Sequence, residues 1–539
     1  MRLRNTLPSL LILSFLVLPA EAQNLLSTEQ WRQDLHYLAD QIVRVHPGAF
    51  HTLSEHDFNS AVADLDRRIP ALADQQVEVE LMRLVASLGE GHSRVSPPGL
   101  PDAMSDVAQV TPYKDPRLGF HRLPLQLYRF SDGLYVIAAT QKWQSLVGSR
   151  VVEIGGHDAL RVLEAVQPLV NRDNDMGTLL VAPQLVVVPE ILQAMQLIAD
   201  PSQVTVVLQP SAGPEVTVAL RPLAVGELAE WRGAESSQRA EYLRHAQENF
   251  WAGHLGNSAV TYAKINVLQD SPTRTVTIFA RDVDALTKVH PQDRLVIDFR
   301  GCRGGDNQKV RALLLELIRN GAVNQPGRLF VIIDRGSFSA AVNAVNDLER
   351  LTNSILIGEP TAGAPGSWGD PQKIILPNSG LIARISTIYW SDWMPTDVRG
   401  WIAPDISTPL TSTDYFAARD PALQAVEQFT PEPGFESVAG KLVTLGAGLG
   451  TIERLYYQRK TDPLWAGEST EQAMQHIGSQ LVSRKSYRDA LVVFTINHEE
   501  YPGSIQTALQ TVQAAEAANP QEPGLDDLAR SLLELKRQQ

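Results

Sequence analysis

The stretch Leu295-Val296-Ile297-Asp298-Phe299-Arg300-Gly301-Cys302-Arg303-Gly304-Gly305-Asp306-Asn307 decides how this chain folds. Its first five residues are a short run, apolar except for Asp298 and bounded by turn residues, which reads as a strand buried on both faces. The glycines break it, and Gln308 to Arg319 follows with helical spacing. The same alternation continues. Arg328 to Ile333 is an apolar strand, Ser339 to Leu351 is a helix with Ala341, Val345 and Leu348 on one side, and Ser354 to Ile357 is a third strand. Strands alternating with helices imply a mainly parallel sheet covered on both faces, and we place this core at residues 223–430.

Upstream the texture differs. Residues 28–90 read as three amphipathic helices. The first carries Trp31, Leu35, Leu38 and Ile42 on one stripe, opens on a capping box of Ser27 and Gln30, and stops at His46-Pro47-Gly48. The second has Phe58, Val62, Leu65 and Ile69, ending at Pro70; the third has Leu81, Leu84, Val85 and Leu88, with Gly89 beyond it. We assign 23–96 to this helical unit. Residues 97–115, rich in Pro, Asp and small residues, read as a linker or flap. From 118 to 222 short strands dominate, including a hairpin around Asp132-Gly133, and describe a small β-rich module. After the Pro-rich stretch near 431–434 the chain is helical to residue 539, with a small-residue texture similar to tetratricopeptide-type helix pairs.

The 539 residues suggest about three or four domains at roughly 100–200 residues each. A formal net charge of −14 argues against a nucleic-acid partner, which needs a basic surface. Arg2 and Arg4, the apolar run Leu7 to Leu18 and the small-residue site Ala20-Glu21-Ala22 have the layout of a secretory signal peptide cleaved after Ala22. A periplasmic or secreted protein without a stable membrane anchor is expected. Cys302 is the only cysteine, so no intrachain disulfide can form, and it reads as a partly buried loop thiol. His51 and His56 read as solvated loop residues rather than metal ligands. There is no phosphate loop of the G-x-x-x-x-G-K-[ST] type, and no cofactor is implied.

Two glycine-rich turns follow core strands. The Gly304-Gly305 turn would present backbone N–H groups in a concave array, suited to a phosphate, to a developing oxyanion, or simply to a tight turn before a helix. The turn Asp334-Arg335-Gly336-Ser337-Phe338-Ser339-Ala340-Ala341 places Ser339 at a helix start among small neighbours. There it is either an N-cap, a role open equally to Ser337, or a nucleophile with the Ala340 N–H as an oxyanion donor. A serine nucleophile needs a base, and His92 in Gly89-Glu90-Gly91-His92-Ser93-Arg94 is a candidate that spacing alone leaves as a surface loop residue.

Taken in order, Leu-Gly-Glu-Gly-His-Ser-Arg-Val (88–95), Leu-Val-Ile-Asp-Phe-Arg-Gly-Cys-Arg-Gly-Gly (295–305), Ser-Phe-Ser-Ala-Ala (337–341) and Ile-Gly-Glu-Pro-Thr-Ala-Gly (357–363) resemble the motif set of the tail-specific, or C-terminal-processing, serine peptidases. The likeness is greatest to the branch holding the tricorn core and the interphotoreceptor retinoid-binding protein modules, and it covers roughly 28–410. It implies a multidomain α/β protein with a crotonase-like, or Clp-protease-like, core at 223–430 and a PDZ-like module at 118–222. It also implies peptide-bond hydrolysis of a peptide or protein substrate through an acyl-enzyme. Ser339 then matches the nucleophile, His92 the general base, and Ala340 with Gly304 or Gly305 the oxyanion donors. The lysine of the Ser-Lys branch falls on Ala364 here, which leaves the base to His92. Asp397 lies near the acidic position of the tricorn branch and is the expected partner of His92. Because the retinoid-binding relatives use this fold without proteolysis, the alternative is an inactive binder of an apolar ligand or a protein partner.

Overall fold

The computed structural model describes residues 24–100, 115–227, 229–234, 239–256, 258–325, 327–391, 397–429, 435–444, 448–461 and 470–537. The expected leader and residues 101–114 of the 97–115 segment lie outside these residues. No described helix is long and apolar enough to cross a membrane.

The chain begins with helices Thr28–Val45, Glu55–Arg68 and Asp74–Ala86. Ser27 and Gln30 close the reciprocal capping box, and Trp31, Leu35, Leu38 and Ile42 face inward. Gly89 turns the chain at φ +74°, where a Cβ would meet the Thr52 side chain at 2.6 Å. A glycine is therefore required at the exit of the third helix. Beyond it Arg94–Val95 is a short strand that pairs antiparallel with Ile382–Ile385, far along the chain.

The β-rich module is an antiparallel sheet with strands in the order Leu125–Phe130, Gly133–Ala139, Arg150–Ile154, Val204–Gln209 and Val216–Leu220. Its buried side chains and those of the N-terminal helices form one continuous core, which Ile374, Leu376, Leu381, Ala383 and Ile385 also enter. The element type changes near residue 100, but the core is shared across that point. The Asp34 carboxylate reinforces the join by accepting from the Asn378 and Ser379 amides, both at 2.8 Å.

The central sheet runs in the order Ile406–Ser407, Ile355–Gly358, Leu329–Ile333, Arg294–Asp298, Val260–Ile265 and Phe250–His254. All neighbours are parallel except the last pair, an antiparallel hairpin at the edge. Every residue of Leu329–Ile333 is buried, as a strand covered on both faces must be. Helices Val276–Val289, Val310–Arg319 and Ala340–Leu351 cover one face. Ala422 and Val426, from the helix Pro421–Gln428, lie on the other beside Trp251 and Tyr262. The helix expected from Gln308 starts at Val310, the two preceding residues being turn. Cys302, expected to be partly buried, is fully buried within the apolar cluster under the sheet. Downstream, among the described residues, six helices between Phe435 and Arg537 form a separate apolar core. Within it Gly478 leaves room for the Phe494 ring, which a Cβ would meet at 2.2 Å.

The end of the central strand is fixed by ions. Arg300 donates to Asp298 at 2.6 Å and to Asp420 at 2.7 Å, and its guanidinium lies 4.0 Å from the Tyr242 ring centroid. The pair of carboxylates offsets the burial of the charge and holds the guanidinium well above its ordinary pKa. Removing one partner of such a group leaves uncompensated buried charge. Arg300→Ala is expected to cost about 3–5 kcal/mol, read as a lower midpoint in urea denaturation. An unchanged midpoint would show that the cluster does not hold the strand end.

Candidate active site

Ser339 sits between the strand Leu329–Ile333 and the helix Ala340–Leu351 with φ 56° and ψ −130°. A non-glycine residue in this region is strained, and sharp strand-to-helix turns of this kind expose a side chain at the sheet's end. The strain is held by the turn around it. Asp334 Oδ1 accepts from the N–H groups of Gly301 at 2.9 Å and Gly336 at 2.8 Å. Ser337 Oγ donates to the Phe299 carbonyl at 3.0 Å and accepts from the Asp334 N–H at 3.2 Å. Ser337 thus does the bracing. Ser339 occupies the N-cap position but makes no side-chain capping bond, so its hydroxyl is left for another partner.

That partner is His92. Its Nε2 lies 3.0 Å from Ser339 Oγ, across 247 residues of sequence. The imidazole stacks on the Phe338 ring at 4.5 Å between centroids and 28° between planes. Desolvation lowers the His92 pKa to about 4, against the opposing pull of Glu90 and Asp370. The ring is therefore neutral at neutral pH, with a lone pair available to accept a proton. Nδ1 is buried and has no well-formed hydrogen bond among the described residues, the Trp368 backbone being the nearby polar group that favours the charged ring.

Gly304 lies against the serine. A Cβ there would stand 2.8 Å from Ser339 Cβ and 3.0 Å from the Ala340 nitrogen, so only glycine admits this approach, at φ +115°. The neighbouring backbone is tied down by bonds from the Leu268 N–H to the Gly304 carbonyl and from the Asp306 N–H to the Leu268 carbonyl, both 2.8 Å. The Phe338 N–H reaches the Cys302 carbonyl at 3.0 Å, joining the two glycine-rich turns. Ala340 begins its helix, where the first N–H groups have no intrahelical acceptor. The turn that sequence alone left between phosphate site, oxyanion site and tight turn is thus placed directly beside a serine hydroxyl.

Asp397 stands elsewhere. Its carboxylate accepts from Arg399, with Nη2 3.0 Å from Oδ2, and from the Arg350 guanidinium, and these arginines hold its pKa down against burial. Among the described residues it makes no bond to His92. The structure replaces that expectation with a partly buried ion cluster completed by Glu349, which lies 2.8 Å from Arg399.

The groups that position the His92 turn are ones the sequence did not single out. Glu90 is fully buried. One oxygen accepts from the His92 N–H and from Ser386 Oγ, each at 3.0 Å, and the other lies 3.5 Å from His46 Nε2. Burial would raise this carboxyl, but hydrogen bonds from His46, Ser93 and Ser386 and the nearby His92 hold it below its ordinary value. On the other side Asp173 Oδ1 accepts from the Gly91 N–H at 2.6 Å, while Asn171 Nδ2 donates to the Gly91 carbonyl at 2.7 Å. A Cβ on Gly91 would meet Phe338 at 2.6 Å and Asp173 at 3.2 Å. The only advance signal was the pattern itself, an acid between glycines just before the histidine.

No known family model matches the chain, and no curated protein is similar to it in sequence. Its likenesses are structural. Mature CPAF superposes with a TM-score of 0.51 at 12% identity, covering 74% of this chain and 96% of CPAF. A CPAF point mutant gives 0.52 at 12% identity, covering 75% and 99%. The photosystem II D1 C-terminal processing protease is a looser neighbour, at 0.34 and 15% identity over 74% and 99%.

Burial lifts the Asp173 carboxyl to about 7, with Glu90 adding to the rise and the Gly91 N–H opposing it. Between the ordinary carboxyl range and about pH 7 the folded chain holds this proton and the unfolded chain does not. Stability from this group is therefore full at low pH and falls as pH rises through about 7. Asp173→Asn keeps an acceptor for Gly91 and removes the ionisation. It should raise the melting temperature at pH 8 and leave it nearly unchanged below pH 4, and equal shifts at both would refute the assignment.

Over about three quarters of its length this chain has the fold of CPAF.

Proposed function

We propose that the chain is a serine peptidase of the tail-specific type, cleaving peptide bonds in a peptide or protein substrate. The observation that carries this reading is the 3.0 Å approach of a neutral imidazole to a hydroxyl that caps nothing and lies beside a glycine turn. His92 takes the Ser339 proton as Oγ attacks the scissile carbonyl. The Ala340 N–H and an N–H of the Gly304-Gly305 turn stabilise the oxyanion. His92 then returns the proton to the leaving amine, and water enters to hydrolyse the acyl-enzyme.

Glu90 and Asp370 favour the imidazolium that forms in each half-reaction. On this reading the central sheet and its helices are the crotonase-like core, 118–222 is the PDZ-like module, and the C-terminal helices are tetratricopeptide-like units available for partner docking. The motif at 1–22 directs export to the periplasm or beyond, with cleavage after Ala22. A second reading, an inactive binder of an apolar ligand or a protein partner, draws on the lack of a carboxylate at His92 Nδ1 among the described residues.

A fluorophosphonate probe separates the two. Wild-type protein should label, Ser339→Ala should not, and His92→Ala should label roughly 10²–10⁴-fold more slowly. Labelling that survives Ser339→Ala defeats the assignment, and a wild-type protein inert to the probe favours the binder. The labelling rate should also rise with pH through about 4, as His92 loses its proton, and stay flat to neutrality. A midpoint near 7 instead would mean that the ring is solvated or that another base acts.

A further inference from the structure

At the opposite end of the central sheet from Ser339, three side chains converge that the proposed reaction does not use. His254 ends the edge strand Phe250–His254, His290 follows the last turn of the helix Val276–Val289, and Asp293 immediately precedes the strand Arg294–Asp298. One ligand-type atom from each lies within 4.8 Å of the other two. The two imidazoles are parallel, 4.0 Å between centroids and 4° between planes.

We propose that His254, His290 and Asp293 form a binding site for a divalent transition-metal ion of the zinc type. Two imidazoles and one carboxylate are the donor set such ions prefer, and a hard cation such as Mg²⁺ would choose oxygens instead. Ligands bonded at about 2.0–2.2 Å stand roughly 3–4 Å apart around a metal, within the spread found here. Asp293 is held ready. Its Oδ2 accepts from Thr261 Oγ1 at 2.9 Å, and its N–H donates to the His290 carbonyl at 3.0 Å, which brings the carboxylate back beside the ring. An outer partner on a ligating carboxylate is what orients it for a metal.

His254 Nδ1 lies 2.7 Å from the same Asp293 oxygen, so the ion displaces the proton between them, and a small rotation of the exposed histidine opens the gap. The C-terminal end of a helix also favours a cation. With Cys302 the only cysteine, no disulfide can tie these segments together. A metal joining the edge hairpin, a helix end and the start of a central strand closes the loop between 254 and 293 in the same way.

The test is equilibrium dialysis of the whole chain against Zn²⁺ with elemental analysis, alongside thermal melts. Wild type should bind one saturable equivalent that His290→Ala and Asp293→Asn each weaken at least tenfold. Zn²⁺ should raise the wild-type melting temperature and leave that of His290→Ala unmoved. Because the His290 ring lies at a helix end, its truncation keeps the fold, and a metal-free melt matching wild type verifies this. No saturable binding in wild type, or binding and melting shifts equal in the variants, overturns the proposal.

Discussion

One buried carboxylate holds the candidate site together. Glu90 touches three stretches of chain: the end of the first helix through His46, its own turn through the His92 N–H, and the strand end at Ser386, 296 residues away. An isolated carboxylate would not tolerate such burial, and each of these donors offsets part of its desolvation. The tautomer of His46 follows from the same geometry. Its Nδ1 accepts from the Gly48 N–H at 3.1 Å, so Nε2 carries the hydrogen that faces Glu90. The pairing of Arg94–Val95 with Ile382–Ile385 adds a short ladder to this clamp. The His92 turn is consequently fixed to the segment that also supplies Trp368, whose ring packs on His46 at 4.4 Å.

The serine side is built on the opposite principle, strain held by its surroundings. A backbone at φ 56° relaxes unless the turn prevents it. Asp334, Ser337 and the close contact of Gly336 with Gly301 prevent it, a Cβ on Gly336 standing only 2.6 Å from the Gly301 Cα. The two glycine-rich turns are thus interlocked, so the position of Gly304 and the conformation of Ser339 are set by one packing event. This division of labour between two serines two residues apart leaves one hydroxyl bracing the turn and the other facing His92.

Much of this was legible. A strand buried on both faces writes itself as an apolar run between turn signals, and Leu295–Phe299, interrupted only by Asp298, and Leu329–Ile333 could be read that way. The three N-terminal helices were equally plain, because their stripes follow the helical period. What could not be read was anything depending on a distant partner. Glu90 looks like a turn residue until Ser386 and His46 are placed around it. Asp397 looked available because its two arginines lie 2 and 47 residues away, and spacing does not say which of several charges a side chain will meet. Ser337 and Ser339 were indistinguishable for the same reason, since the Phe299 carbonyl that chooses between them belongs to another strand.

In the proposed reaction His92 would act as base with no carboxylate bonded to its second nitrogen among the described residues. An Asp in that position does two things: it selects the tautomer and it stabilises the cation that forms. Here ring orientation falls to the Phe338 stack, which carries no charge. Cation stabilisation falls to Glu90 and Asp370 acting through space, against desolvation and the like charge of Arg94. The balance favours the neutral ring. Under the proposed reaction such a ring would be a weak base, transferring a proton only where the oxyanion it helps create is itself well stabilised. The greater demand would then fall on the backbone amides beside Ser339, where a Cβ on Gly304 would stand 2.8 Å from Ser339 Cβ.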